Sequence, residues 1–474
     1  MTAALWHHGA GQLAEMIATK QVTSAEVIES HLARIEEVNG YLNAIVRVLA
    51  DEARTAAESA DEAVANGDEL GALHGVPVTV KENIDVAGTP TTSGIVAFAQ
   101  AIADRDAPVV ERLRGAGAIP IGRTNLPDLG LRVTTESSLH GITRNPWNPD
   151  VTAGGSSGGE ASALASGMSP LGLGNDVGGS LRNPAHCCGV ASIKPTVGRV
   201  PSATVVGPPG MILAFQQMAV EGVMARRVAD VRLGLSIVAG PHPRDPLSQP
   251  VPLMNPRHDG PLTVALLAEP PGGSTDAGIA GVIRAAADHL SNAGYDVVEA
   301  VPPSYERVLE LWQRLLMAEI RQQLPLLDMV MGDDAKLFLH RAADSRPELS
   351  LGEFLADQAE RFTLMAAWDA WQNEHQLILS PVWAQPAFPH SFDVQSQVTG
   401  ETTFELMRPI LPANYLGLPA AVVPGGLSNG MPVGVQVIGG RWHELDCLDA
   451  AEAIEEAVGT LTPIDPVHRT LASP

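Results

Sequence analysis

Ala153-Gly154-Gly155-Ser156-Ser157-Gly158-Gly159-Glu160 and, beyond an Ala- and Ser-rich stretch, Gly174-Asn175-Asp176-Val177-Gly178-Gly179-Ser180 are the two segments on which the reading of this chain turns. The first packs four glycines around two serines, and glycine lets a backbone adopt conformations closed to other residues and approach a substrate closely. A flexible linker has a similar composition, but a linker is not normally followed at once by a stretch that can be helical. A phosphate loop is disfavoured because no Gly-Lys-Ser/Thr follows. Gly154, Ser156 and Gly158 match the Gly-x-Ser-x-Gly pattern of a nucleophile elbow, which needs a buried strand just before it. The preceding Asn145-Pro146-Trp147-Asn148-Pro149-Asp150 makes a poor strand because of its prolines. In the second segment, consecutive N–H groups beside a serine can converge on a developing oxyanion, while a tight turn ending in a capping serine stays open from that string alone.

Outward from these loops the chain alternates helical and strand patterns. Thr23-Ser24-Ala25-Glu26 has the spacing of a capping box, and Val27, Ile28, Leu32 and Ile35 follow at helical intervals, which predicts an amphipathic helix. Residues 50–66, rich in Ala and Glu, predict a second. Val76, Val78 and Val80 alternate as in a strand and deliver Lys81 at its end. A helix near Val109–Gly115 and a strand over Ile119–Gly122 continue the α and β alternation. Leu262–Leu267, Ala277–Ala293 and Tyr295–Val298 read as a βαβ-like unit. Ala420–Val423 and Val433–Ile438 flank a Gly-rich turn as hairpin strands would, and a helix over about 444–456 closes the chain.

The 474 residues, 45% of them hydrophobic and evenly spread, suffice for a large buried core. A formal net charge of −24, with no offsetting Lys/Arg run, repels phosphate backbones and anionic lipid and argues against nucleic acid or a membrane as partner. The opening MTAALWHHGAGQLAEM lacks a basic start before an apolar core, and no stretch reaches the roughly 18 apolar residues of a span, so a cytoplasmic location is expected. Cys187, Cys188 and Cys447 have neither disulfide-framework nor zinc-site spacing and read as buried small hydrophobes. Only four of the 30 basic residues are lysines, Lys20, Lys81, Lys194 and Lys336. Lysine, unlike arginine, can lose its proton when buried, so each is a candidate for proton chemistry.

Taken together these residues resemble the amidase signature hydrolases. Gly154 to Glu160, the Ser166-Gly167-Met168-Ser169-Pro170-Leu171-Gly172-Leu173-Gly174 run, and Asp176 to Arg182 followed by Cys188-Gly189 and Lys194-Pro195-Thr196 are similar to that family's signature region without a gap. Gly75 to Glu82, Thr91 to Gly94, Met224-Ala225-Arg226, Gly417 to Ala420 and Pro432 to Gln436 extend the likeness over nearly the whole chain. Glu82 stands where Asp is common, Asp128 where Glu is usual, and Gly222-Val223-Met224 where Gly-Pro-Met is usual. The resemblance implies an α/β fold with a mixed, twisted central β-sheet covered on both faces by α-helices. It implies one domain over residues 1–474, with its signature core at about 70–230 and a Pro-rich connection at about 240–260.

The resemblance also implies roles. Ser180 is the nucleophile, Ser156, preceded by a cis peptide, is the relay, and Lys81 starts as a neutral amine, which requires desolvation to lower a pKa of about 10.4. Backbone N–H groups of Val177, Gly178, Gly179 and Ser180 form the oxyanion hole. Asp176 and Arg182 hold the loops, Ser157 orients the relay or bounds the acyl pocket, and Lys194 makes a structural hydrogen bond or a surface charge. No cofactor or metal is implied. The substrate is a small amide, with esters, carbamates and anilides as further candidates, and the protein is a monomer or homodimer. Gly154 and Gly155 are candidate substrate contacts. The apolar segment Val205 to Phe215 is expected to line the entrance through Met211 and Phe215, and Trp312, Trp368, Trp371 and Trp383 are candidates for an aromatic wall. One branch of the family is the amide-hydrolysing component of a tRNA-dependent amidotransferase. Thr196-Val197-Gly198-Arg199-Val200-Pro201 lacks the Tyr-Gly-Arg-Val-Ser run associated with that branch. A non-catalytic protein on the same scaffold would be expected to lose Lys81, Ser156 or Ser180, and all are present.

Overall fold

The structure is a computed structural model, and it describes residues 4–207, 211–254, 258 and 260–467. Pro208, Pro209 and Gly210 of the expected entrance segment, and residues 255–257 and 259 of the Pro-rich connection, lie outside the described residues. The strands, in chain order, are β1 (Ile45–Val48), β2 (Pro77–Lys81), β3 (Ile119–Thr124), β4 (Glu136–Ser137), β5 (Gly141–Ile142), β6 (Leu171–Asp176), β7 (Ala191–Lys194), β8 (Val220–Ala225), β9 (Thr263–Leu266), β10 (Asp296–Glu299), β11 (Leu377–Pro381), β12 (Ala420–Ser428) and β13 (Met431–Gly439).

Eleven of these form one sheet in the order β1-β3-β2-β6-β8-β7-β12-β13-β11-β9-β10. Its pairings are mixed: β2 runs parallel to β3 and β6, whereas β8 is antiparallel to β6 and β7. Successive side chains of a strand point to opposite faces. In β12, Ala420 and Val422 enter one apolar cluster while Ala421 and Val423 enter another. Both faces of the sheet are therefore covered, and its central strands are almost wholly buried, as β2 is at every residue. Helices Val228–Val238, Ala277–Asn292 and Glu444–Val458 contribute to one cluster. Helices Gly158–Ala165, Arg182–Cys188 and Tyr305–Val330 contribute to the other.

Local signals placed most elements. Thr23 and Glu26 form the expected reciprocal cap on helix Ser24–Leu42, helix Ala50–Asn66 follows, and β9 and β10 pair in parallel around helix Ala277–Asn292. The terminal hairpin is longer than its alternation suggests. Its strands run through the glycines, absorb them in a bulge between Pro424 and Gly426, and turn at Asn429-Gly430, where φ is 51° and 76°. Both central residues having positive φ is what a two-residue hairpin turn demands. Helices Tyr305–Val330, Asp333–Asp344 and Leu351–Gln372 form a layer in which the sequence reading singled out only tryptophans. Cys187, Cys188 and Cys447 are free and buried, as expected. Among the described residues no helix is long and apolar enough to cross a membrane.

Candidate active site

Strand β2 lies between β3 and β6 and carries Lys81 into a fully buried position. Its Nζ is 2.7 Å from Ser156 Oγ and 2.7 Å from Asn175 Oδ1. Burial lowers the Lys81 pKa to about 7, opposed by the carboxylates of Glu221, Asp176 and Glu160. Glu160, itself pushed up to about 7 by burial, accepts hydrogen bonds from Thr79 and Thr124. A neutral Lys81 amine donates to Asn175 and keeps a lone pair for the Ser156 hydroxyl, the arrangement a base needs.

The peptide between Gly155 and Ser156 is cis. Gly154 and Gly155 are packed against other backbone: a Cβ on Gly154 would lie 2.7 Å from Pro184 Cα, and one on Gly155 2.5 Å from Thr134 N. These glycines serve close approach between loops and line neither cavity at Ser180. Ser157 donates its N–H to the Ser180 carbonyl at 3.1 Å. It ties the two serine loops together and is likewise absent from the cavity walls.

Strand β6 ends at Asp176, which organises the second loop. Its carboxylate accepts from the N–H groups of Gly179 (2.8 Å) and Leu181 (3.1 Å), from Arg182 Nε (3.0 Å) and from Asn414 Nδ2 (2.9 Å). Burial alone would raise the Asp176 pKa, but the Arg182 guanidinium overcomes it and holds the carboxyl well below the usual range. Arg182 also reaches the Ile410 carbonyl and Gln436 Oε1 at 2.8 and 2.7 Å. Of the four N–H groups expected in an oxyanion hole, that of Gly179 is thus committed to Asp176. Among the described residues those of Val177, Gly178 and Ser180 have no protein acceptor. The Ser180 side chain hydrogen-bonds to no described residue, and it lines the same cavity as Ser156.

Two cavities reach Ser180. The larger, about 180 Å³, is bounded by Asn83, Asp85, Ser156, Met211, Phe215 and Glu221 among others. The smaller, about 60 Å³, is walled by Leu131, Trp312, Leu316, Phe338, Phe404 and Met407. Met211 and Phe215 sit at the larger cavity. Of the candidate aromatic wall Trp312 lines the smaller of these two cavities, donating Nε1–H to the Val177 carbonyl at 3.2 Å. Trp368 and Trp383 are buried in the core, and Trp371 stacks on His375. Lys194 is fully buried and donates to the Pro195 carbonyl at 2.9 Å, which excludes a surface charge. The sequence reading missed Asn175, Asn83 and Glu221. The signal for Glu221 was a lone acid in the otherwise apolar strand Val220–Ala225.

Residues 26–448 match the family model Amidase. The chain is 41% identical over 96% of its length to an indoleacetamide hydrolase of Bradyrhizobium diazoefficiens, covering 88% of that protein. It is 33% identical to a glutamyl-tRNA(Gln) amidotransferase component of an Anaeromyxobacter species, over 94% of this chain and 95% of the relative. A crystal structure of a bacterial aryl acylamidase of the amidase signature family superposes with a TM-score of 0.81 at 29% identity, over 95% of this chain and 96% of the other. With lysine, serine and backbone donors gathered at one buried strand end, and the likeness spanning the whole sheet, the chain belongs to the Amidase family and hydrolyses carbon–nitrogen amide bonds.

Proposed function

We propose that this enzyme hydrolyses small primary amides of arylacetic acids through an acyl-enzyme on Ser180. The observation that carries the reading is the size difference between the cavities that meet at Ser180. The one reaching Ser156, at about 180 Å³, admits a bicyclic ring. The other, at about 60 Å³, is the smaller of the two. An aryl acyl group in the first and an unsubstituted amide nitrogen suit that pair of spaces, and the 41% relative named for indoleacetamide supports the same class.

In this reading Ser180 Oγ attacks the carbonyl carbon as its proton passes to Ser156, whose own proton passes to Lys81 Nζ. The oxyanion is met by N–H groups of Val177, Gly178 and Ser180, each such donor being worth about 3 kcal/mol. The proton returns through Ser156 to the nitrogen, the C–N bond breaks and ammonia leaves. Water then cleaves the acyl ester, releasing the acid and restoring Ser180. Asp176 and Arg182 hold the nucleophile loop without touching substrate. The test is ammonia or aniline release from indole-3-acetamide, an anilide and acetamide, with Ser180→Ala and Lys81→Ala beside the wild type. Loss of activity in both variants and a preference for the arylacetamide are expected; full activity in Ser180→Ala rejects the nucleophile.

The amidotransferase relatives favour a second reading, in which the chain releases ammonia from glutamine for a partner protein. Glutamine hydrolysis that requires a co-purifying partner, with no turnover of arylacetamides, would select it.

A further inference from the structure

A neutral amine has one lone pair. A neighbour that donates to Lys81 Nζ takes from it the electrons a base must offer, whereas a neighbour that accepts leaves them free. Two side chains lie 2.7 Å from that nitrogen, Ser156 through Oγ and Asn175 through Oδ1. An asparagine amide can present either its oxygen or its NH2 to a lysine, and here the other partners of the amide fix the choice. Asn175 Nδ2 donates to Asn83 Oδ1 at 3.0 Å. Glu221, which stands opposite Asn175 in the antiparallel pairing of β6 with β8, is also a hydrogen-bond partner of the Asn175 side chain. Ser202 Oγ anchors that glutamate by donating to Oε1 at 3.1 Å. A carboxylate only accepts, so the N–H groups of the Asn175 amide are directed away from Lys81 and its oxygen is turned toward it.

Resting on the reading of Lys81 as the base, we propose that Asn175 is a positioning residue for that lysine: Glu221 and Asn83 hold its amide with the oxygen toward Nζ, so that the amine donates to Asn175 and directs its lone pair at the Ser156 hydroxyl. The same oxygen also accepts from the protonated amine, and a hydrogen bond to the charged form favours that form. Asn175 therefore contributes to the pH at which the base becomes active. The charged groups that face Lys81 are Glu221 on β8, Asp176 at the end of β6 and Glu160 on helix Gly158–Ala165; burial outweighs all three, which favour the protonated lysine. These three carboxyl groups remain in place when Asn175 is substituted.

The test follows the titration of Lys81 itself. The chain has four lysines, Lys20, Lys81, Lys194 and Lys336, so protein labelled with lysine carrying carbon-13 at Cε gives few enough NMR signals to follow with pH, and Lys81→Met identifies the one sought. Wild type, Asn175→Leu and Asn175→Asp are titrated in this way. For each, kcat and KM on indole-3-acetamide are measured over the same pH range, with thermal melts to verify folding. Asn175→Leu removes the acceptor, and the Lys81 midpoint is expected to fall by about one pH unit. Above that midpoint kcat is expected to drop by about 10- to 100-fold, with KM changed less, because the amine is neutral but no longer held toward Ser156. Asn175→Asp puts a carboxylate where the neutral acceptor stood, and the midpoint is expected to rise by about one pH unit or more, carrying the acid side of kcat/KM with it. A residue that merely packs would lower Tm and kcat and leave the midpoint where it is. A midpoint unmoved in folded Asn175→Leu, or displaced in the same direction by both substitutions, overturns the proposal. If Asn175→Leu does not fold, a midpoint unmoved in Asn175→Asp overturns it. Full activity in Lys81→Ala instead overturns the reading of Lys81 as the base, on which the proposal rests.

Discussion

Lys81 sets chemistry against stability within a single side chain. Burial lowers its pKa from 10.5 to about 7, so the amine becomes neutral, and able to take a proton, as pH rises through that value. The kcat/KM profile on an arylacetamide is therefore expected to fall on the acid side with an apparent pKa near 7; a flat profile down to pH 5 would remove Lys81 as the base. The same shift acts on folding. Between about 7 and 10.5 the unfolded chain holds a proton that the folded chain has released, so this group's contribution to stability grows as pH rises through that window. Lys81→Met lacks that dependence. Its Tm relative to wild type is expected to move in the variant's favour as pH is lowered from 10 to 7, and a Tm difference constant across the window would contradict the depressed pKa. At this scale the sequence was informative where a residue type carries its own chemistry, as the scarce lysines did. It was silent on Asn175, whose contact with Lys81 spans 94 positions.

The loop from β6 to helix Arg182–Cys188 is an element held by one buried ion pair. Asp176 and Arg182 are both fully enclosed, 3.0 Å apart, and removing one member leaves the other's charge uncompensated, typically a loss of about 3–5 kcal/mol. Asp176→Asn is expected to lose stability in that range by urea unfolding and to lower kcat more than it changes KM, because an amide nitrogen cannot accept from the Leu181 N–H and Arg182 Nε as Oδ2 does, which loosens the loop beside Ser180. Wild-type stability and kcat in this variant would rule out the holding role. The β12–β13 turn offers a control far from chemistry. Gly430 has φ 76°, so Gly430→Ala should destabilise the protein by about 1 kcal/mol with kcat/KM unchanged. Elements whose signals lie within four residues, such as the Thr23 cap, were legible in the sequence. The helical layer after residue 304 was not, because Pro325, a residue that ordinarily ends a helix, lies inside its first helix, and exposed Leu326, Met329, Leu351, Leu355 and Phe362 blur its apolar stripe.

At the scale of the molecule, the space around Ser180 is made by parts remote in sequence: strand ends and loops of the sheet on one side, the helix bearing Trp312 on the other. Trp312 walls the smaller cavity, and a change of pocket volume typically alters discrimination by about 10- to 200-fold. Trp312→Ala is expected to raise anilide hydrolysis relative to the primary amide of the same acid by about 10-fold, measured as aniline against ammonia release; an unchanged ratio would place the leaving group elsewhere. The sequence by itself determined the family, the alternation that builds a covered sheet, and the presence of Lys81, Ser156 and Ser180 on motifs that the fold gathers at one place. Those readings rest on side-chain chemistry and on periods of two and 3.6 residues, which are local. Only the tertiary structure decided that Gly179 is tied to Asp176, that Gly154 and Gly155 pack against backbone, and that Met211 and Trp312 face different cavities. Each depends on which distant backbone or side chain arrives within about 3 Å, and no local pattern in a chain encodes that distance.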